Sequence, residues 1–187
     1  MSSSASAEIE LPDWAVVTNR RRAHIARVAD LARAWAEVSG LSESETRRWV
    51  QAAVLHDSLR DADPAVLRKE VPPEFGDWPN QVLHGPAAAA RLRAQGGYDE
   101  GVLTAITFHT VGHPDLDDAG RALYLADFLE PGRTFDPISR AAWRARMPHD
   151  RDAVLREVVA ARLRHMIGSH RPVRLETLAF WNQVTHG

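Results

Sequence analysis

The sequence predicts an all-α protein built as one domain. Three observations carry this. Apolar residues recur at helical spacing in one segment after another. Those segments are punctuated by capping residues in front and by Gly or Pro behind. No stretch alternates apolar and polar residues with the period of two that a half-buried strand needs.

The elements follow in order. Residues 20–39 place Ile25, Val28, Ala29, Leu31, Ala32 and Trp35 on a helical stripe, and Gly40 is a natural stop. Ser42 and Glu45 have the spacing of a capping box, which opens a helix over 43–57. Pro64, Pro72, Pro73 and Pro79 break residues 58–82 into a short helix near 64–69 and a loop. Pro86 suits a first helical turn, and Gly96-Gly97 ends that helix after Ala94. Asp99 can cap a helix ending near His109, followed by a turn through Gly112 and Pro114. Asp117 can cap another that runs through Leu129 to Pro131-Gly132. Further helices are expected over 137–146, from Asp150 to about His170, and over Glu176–Val184. The start, MSSSASAEIE, has neither a basic nor an apolar block and is not a secretory signal. It reads as part of a flexible segment over 1–18, with the domain over 19–187.

Composition narrows the chemistry. With 187 residues, 44% of them hydrophobic, the chain can bury a core without cross-links. It has no cysteine, which excludes disulfides, a thiolate nucleophile and a Cys zinc site. Any metal must then be held by His, Asp or Glu. A reducing cytoplasm is the compartment expected. The net charge of −2 lacks the basic footprint of a nucleic-acid binder. No apolar run approaches the about 20 residues of a membrane span. Lys69 is the only lysine, so the abundance of Arg is first a coding bias.

The puzzling stretch is AAVLHDSLRD, residues 52–61. A core helix leads directly into His56 and Asp57, and buried His and Asp are costly unless paired or bound to a metal. Comparable junctions hold His24 (RRRAHIARV), His84 (VLHGPA) and His109 (AITFHTVG). Asp127 lies inside the apolar run Leu123–Leu129, where a lone carboxylate is expensive. Imidazole and carboxylate together suit Fe, Mn, Zn, Co or Ni better than Ca or Mg. A lone helical His is more often a satisfied core or surface residue. Five segments that each carry a ligand-type group favour a metal site. His113, His149, His165, His170 and His186 have no such setting and read as structural or surface residues. The tryptophans read as core, with Trp78 also a candidate to stack on a base. Glu130 is either a partner of the ligands or a surface acid.

The order H…HD…D resembles the HD-domain metal-dependent phosphohydrolases, and the added His84 and His109 resemble their dinuclear branch. The segments RRAHIARVADLA, AAVLHD, VLHGPAAA, AITFHTVGHP, LYLADFLEPGR and RPVRLETLAFWN are similar, in order and spacing, to the HD family of symmetrical bis(5′-nucleosyl)-tetraphosphatases. The likeness spans roughly residues 20–184, and the HTxG turn and LADFLEPGR box are its most specific parts. It implies a single HD-domain helical bundle with a metal site in its centre. It also implies cleavage of diadenosine tetraphosphate into two ADP by a metal-activated water. The metal ligands implied are His24, His56, Asp57, His84, His109 and Asp127, with Asp57 bridging two divalent ions, iron first among Mn, Co, Zn and Ni. Arg21 and Arg133 would contact phosphate, and Thr110 and Gly112 would shape the pocket floor. The partner implied is a small nucleotide, with neither nucleic acid nor membrane, and a homodimer is compatible with it.

One position departs from the pattern. The family places Lys four residues after its HD histidine, where this chain has Arg60. Arg60 can clamp phosphate but is a poor general acid, because arginine does not deprotonate. Two other readings stand beside the leading one: an HD phosphohydrolase acting on another nucleotide, and a nucleotide-sensing HD module without catalysis.

Overall fold

A computed structural model describes residues 9–186. Over these residues the chain forms nine α-helices: α1 (Asn19–Val38), α2 (Glu43–Leu55), α3 (Pro64–Glu70), α4 (His84–Gln95), α5 (Glu100–Phe108), α6 (Asp118–Leu129), α7 (Pro137–Arg146), α8 (Arg151–Gly168) and α9 (Leu175–His186). Two 3-10 turns, Pro73–Phe75 and Asn80–Val82, interrupt the proline-rich stretch between α3 and α4. There is no strand among the described residues.

The local signals explain most boundaries. Thr18 caps α1, and Gly40, with φ of 67°, takes the left-handed backbone just beyond its end. At α2 both halves of the capping box form: Ser42 accepts from the Glu45 N–H, and the Glu45 carboxylate accepts from the Ser42 N–H. Asp99 and Asp117 cap α5 and α6 as their sequence positions suggested. Helix α4 begins at His84, so Pro86 lies in its first turn as expected. Pro86 needs no hydrogen bond for its nitrogen in a first turn, and the Ala87 N–H bonds to the Leu83 carbonyl at 3.0 Å, so the turn starts before it.

Helices α1, α2, α5 and α6 pack on one another and form the centre. Val28, Ala32, Trp35 and Ala36 of α1 are buried, as are Trp49, Ala52, Ala53 and Leu55 of α2. Their facing residues on α6 include Ala119, Ala122, Leu123 and Ala126. The alanines let helix axes approach closely, while each large buried side chain contributes about 1.5–3 kcal/mol over exposure. Helices α7, α8 and α9 build against α6 from one side, so that a cavity opens between them and the central helices.

Residues 1–8 of the segment expected to be flexible lie outside the described residues. Residues 9–18 are tied to the turn after α2. The Val16 N–H donates to the Ser58 carbonyl at 2.8 Å, and the Thr18 N–H and hydroxyl both donate to Asp61 Oδ2. No described helix is long and apolar enough to cross a membrane.

Candidate metal centre

The ligand-type residues stand at helix ends because those ends converge. His56 is the residue that closes α2, and Asp57 follows it. His109 closes α5 in the same way, His84 opens α4, Asp127 lies in the last turn of α6, and His24 lies on α1. A helix end lets a polar side chain enter the core centre without interrupting the apolar stripe of the helix body. His24, His56, Asp57, His84 and His109 are all at most 5% exposed.

Second partners fix the ring tautomers. His56 Nδ1 lies 2.7 Å from the Ala53 carbonyl, and His109 Nδ1 lies 2.8 Å from the Ile106 carbonyl. A carbonyl only accepts, so each Nδ1 carries the proton, and in the neutral ring Nε2 is left with its lone pair. The same reasoning holds for His24, whose Nδ1 lies 3.2 Å from a Glu130 oxygen. The three Nε2 atoms all turn toward Asp57.

The carboxylate of Asp57 divides the group in two. Its Oδ2 lies 3.6 Å from His24 Nε2 and 3.5 Å from His56 Nε2. Its Oδ1 lies 3.2 Å from His84 Nε2 and 3.5 Å from His109 Nε2. Asp127 joins the first side, with Oδ1 at 3.1 Å from His24 Nε2 and 4.0 Å from His56 Nε2. Both sides have metal-ligand spacing, with Asp57 common to His24–His56–Asp57 and Asp57–His84–His109.

Two observations show that a divalent cation fits these donors. The Nε2 atoms of His24 and His56 are shielded from solvent and have no hydrogen-bond partner among the described residues, which is costly for a buried polar atom. His24 Nε2 is close to Asp127 yet makes no aligned hydrogen bond with it, as expected of donors gathered round a common centre. The donor set of imidazole nitrogen and carboxylate oxygen is one that transition metals take.

The electrostatics agree. Burial alone would raise Asp57, but His56, His109 and His84 outweigh it and hold the carboxyl well below its ordinary value. Asp127 is likewise lowered, because His24, His56 and Arg133 overcome desolvation. Burial pushes His84 down to about 4, the neutral form in which imidazole binds a cation. Burial also acts to lower His56, yet the charges of Asp57 and Asp127 leave it raised.

The arginines and pocket residues singled out from the sequence are placed variously. Arg21 Nη1 donates to Asp57 Oδ2 at 2.6 Å, and Arg133 Nη2 donates to Asp127 Oδ1 at 2.6 Å. Arg60, Thr110 and Arg133 line a cavity of about 670 Å³ that opens onto Asp57, His84, His109 and Asp127. Gly112 is not among its lining residues. With φ of 79° it makes the turn after α5 and presses on the ring of Phe180, which leaves no room for a Cβ. Trp78 is buried under Arg174 and edge-on to Phe75, so it belongs to the core.

Glu130 belongs to the centre. It is 2% exposed, bonds to His24 Nδ1, accepts from Arg27 Nε at 2.5 Å and from the Gly132 N–H at 2.6 Å. Burial raises its carboxyl, and these donors, Arg27 first, lower it overall. It therefore holds the His24 ring as a charged acceptor. Glu130→Gln is expected to weaken cation binding about 10–100-fold, the usual effect of losing a ligand's own partner. A metal titration of the variant against wild type checks this.

Arg140, Arg162 and Phe135 also line the cavity without having been singled out in the sequence, and so does His165, which had read as a structural or surface residue. In a chain so rich in arginine, two more carried no signal.

The comparisons with known proteins agree with this geometry. The HD domain family matches residues 21–132, more than half of the chain. The symmetrical bis(5′-nucleosyl)-tetraphosphatase of Halalkalibacterium halodurans is 26% identical over 174 residues, 90% of each chain. Its namesake from Staphylococcus aureus is 33% identical over 125 residues, 64% of this chain and 63% of that one. The Bacillus subtilis protein of the same name is 24% identical over 177 residues, 91% of this chain and 92% of that one. In fold, the chain is similar to a crystal structure from Clostridium acetobutylicum described as a predicted HD superfamily hydrolase involved in NAD metabolism. The TM-score is 0.78 at 23% identity, over 91% of each chain. The matched HD region contains every one of the six ligand-type residues, and the chain belongs to the HD domain family as a metal-dependent hydrolase.

Proposed function

We propose that this chain hydrolyses diadenosine tetraphosphate symmetrically to two ADP, at a centre that holds two divalent ions, iron foremost, with Mn, Co, Zn or Ni able to replace it. The observation that carries the reading is the division of Asp57: one oxygen faces His24 and His56, and the other faces His84 and His109. A single-ion centre would not need both sides. The names of the three relatives support the substrate. The cavity volume of about 670 Å³ suits a nucleotide-sized ligand.

Bound at these residues, divalent ions supply Lewis acidity to phosphoryl oxygens and acidify a water toward neutrality. The protein contributes position and charge. His24, His56 and Asp127 occupy one side of Asp57, and His84 and His109 the other. Arg60 and Arg133, at the cavity wall, neutralise the phosphate chain as negative charge builds on the attacked group. Arg21 beside Asp57 adds a cation at the same end. Water oxygen bonds to one inner phosphorus, the central P–O–P bond breaks, and each half departs as ADP. A nucleoside diphosphate is a fair leaving group, so Arg60 serves in place of the usual Lys without giving up a proton.

The test is product analysis. Purified protein is incubated with diadenosine tetraphosphate and Fe²⁺, Mn²⁺ or Co²⁺, and the nucleotides are separated by ion exchange. ADP as sole product is expected. ATP with AMP would overturn the cleavage position, and no product with metal bound would overturn the substrate.

A further inference from the structure

The cavity extends beyond the metal centre to a wall made by α6, α7 and α8, and two arginines there lack acidic partners. Arg140 is 5% exposed and lines the cavity. Its Nε donates to the Phe135 carbonyl at 2.5 Å, and its guanidinium lies 3.9 Å from the centre of the Phe128 ring. Its Nη1 is shielded and has no hydrogen-bond partner among the described residues. Arg162, also at the cavity, donates through Nη2 to the Thr110 carbonyl at 2.5 Å and lies 4.6 Å from the centre of the Tyr124 ring. Neither arginine makes an ion pair among the described residues. Most other arginines near acids do pair, as Arg133 does with Asp127.

A buried guanidinium with an unmet donor is expensive unless an anion comes to it. Stacking on Phe128 and Tyr124, with one donor tied to a backbone carbonyl, fixes the orientation of each group and leaves other N–H groups for a ligand. The two also crowd one another: burial first, then the charges of Arg133 and Arg162, lower the Arg140 pKa, outweighing the nearby Asp136 and Asp127. Cations held together against their repulsion favour a polyanion. Both are joined to the metal centre by short paths. Phe128 adjoins Asp127, and Thr110 adjoins His109, whose Nε2 lies 3.0 Å from the Thr110 hydroxyl.

We infer that Arg140 and Arg162 form a second anion subsite, separate from the metal ligands, that takes the nucleoside-linked phosphate of a nucleoside diphosphate whose terminal phosphate lies at the metal centre. This rests on the proposed reaction for its biological ligand, since the far ADP half of a dinucleoside tetraphosphate would lie there. The subsite makes the enzyme count phosphates: a ligand with two reaches both the metal centre and the arginines, and a ligand with one does not.

The test is binding of AMP and ADP to the metal-loaded protein by calorimetry, with Arg140→Gln, Arg162→Gln and Arg162→Lys as variants. Wild type is expected to prefer ADP over AMP by about tenfold or more, as a charge-assisted contact provides. Both Gln variants are expected to lose most of that preference while AMP affinity and metal content stay near wild type. Arg162→Lys, which keeps the charge but not the fork, is expected to keep part of it. Arg162→Gln and Arg162→Lys keep the test sound if Arg140→Gln fails to fold. An unchanged ADP-to-AMP ratio in the Arg162 variants, or equal weakening of both ligands, would overturn the subsite. ADP preference lost in the variants but no cleavage of diadenosine tetraphosphate by wild type would overturn the reaction and keep the subsite. Cleavage to ADP with an unchanged ratio would do the reverse.

Discussion

Asp57→Ala is expected to lose both turnover and bound metal. Asp57 is the one residue shared by the two ligand groups, so its removal takes a ligand from each side at once. Losing a mere partner of a ligand costs about 10–100-fold in affinity or activity. Removing a shared ligand should therefore cost more than about 100-fold in turnover. Metal analysis should show the variant holding well under half the wild-type content. Thermal unfolding gives a readout that does not depend on the substrate. A metal at 100 times its dissociation constant stabilises the folded state by about 2.7 kcal/mol. For a domain of this size, that raises the wild-type Tm by roughly 5–10 °C. The variant should gain little, and a chelator should lower only the wild type. Part of the change would be structural, because Arg21 and four histidines lose a buried partner. Asp57→Asn preserves the shape and isolates the loss of charge. Full turnover, or an undiminished metal-induced rise in Tm, in the Ala variant would refute the assignment.

Gly85→Ala has the second large effect expected, and it acts through packing alone. Gly85 lies in the first turn of α4, next to His84, where α4 meets the end of α5. A Cβ there would stand 2.6 Å from the Ile106 carbonyl oxygen, 2.9 Å from that of Thr107 and 3.4 Å from His109 Cε1. Backbone oxygens cannot rotate aside as a flexible side chain can. To reach ordinary contact, α4 would have to withdraw by roughly 0.8 Å, the step from 2.6 to 3.4 Å. Overpacking of this kind costs about 1–3 kcal/mol, a fall in Tm of roughly 3–10 °C. His84 would withdraw with the helix, away from Asp57 Oδ1 and His109. Metal titration should then show weaker binding on the His84–His109 side while the His24–His56 side is retained. An unchanged Tm together with unchanged metal binding would show that the helices tolerate the methyl group.

The elements were legible because their signals are local. The capping box at Ser42 and Glu45 formed as its spacing required, since a capping hydrogen bond involves residues three apart. The same holds for the caps at Asp99 and Asp117 and for the stop at Gly40. Pro86 lies in the first turn of α4 as expected, but a proline marks a first turn without saying which residue of that turn it occupies, so the start at His84 was not legible. His56, Asp57 and Asp127 drew attention because burying such groups is costly, and that cost can be recognised from residue type and apolar surroundings. His24, His84 and His109 stood out mainly through family order.

What the chain alone determined was thus the all-α class, most helix limits and the chemical types of the candidate metal ligands. All of these follow from periodicity, capping and the cost of burying polar groups within short stretches of chain. Only the tertiary structure decided how those groups are shared. It set which oxygen of Asp57 faces which histidines, and made Glu130 the acceptor that holds the His24 ring. It also brought Ile106 and Thr107 against Gly85, and placed buried Arg140 and half-buried Arg162 at the cavity wall without an ion-pair partner among the described residues. Each of these depends on distances between helices far apart in the chain, and residue spacing along one helix carries no record of such distances.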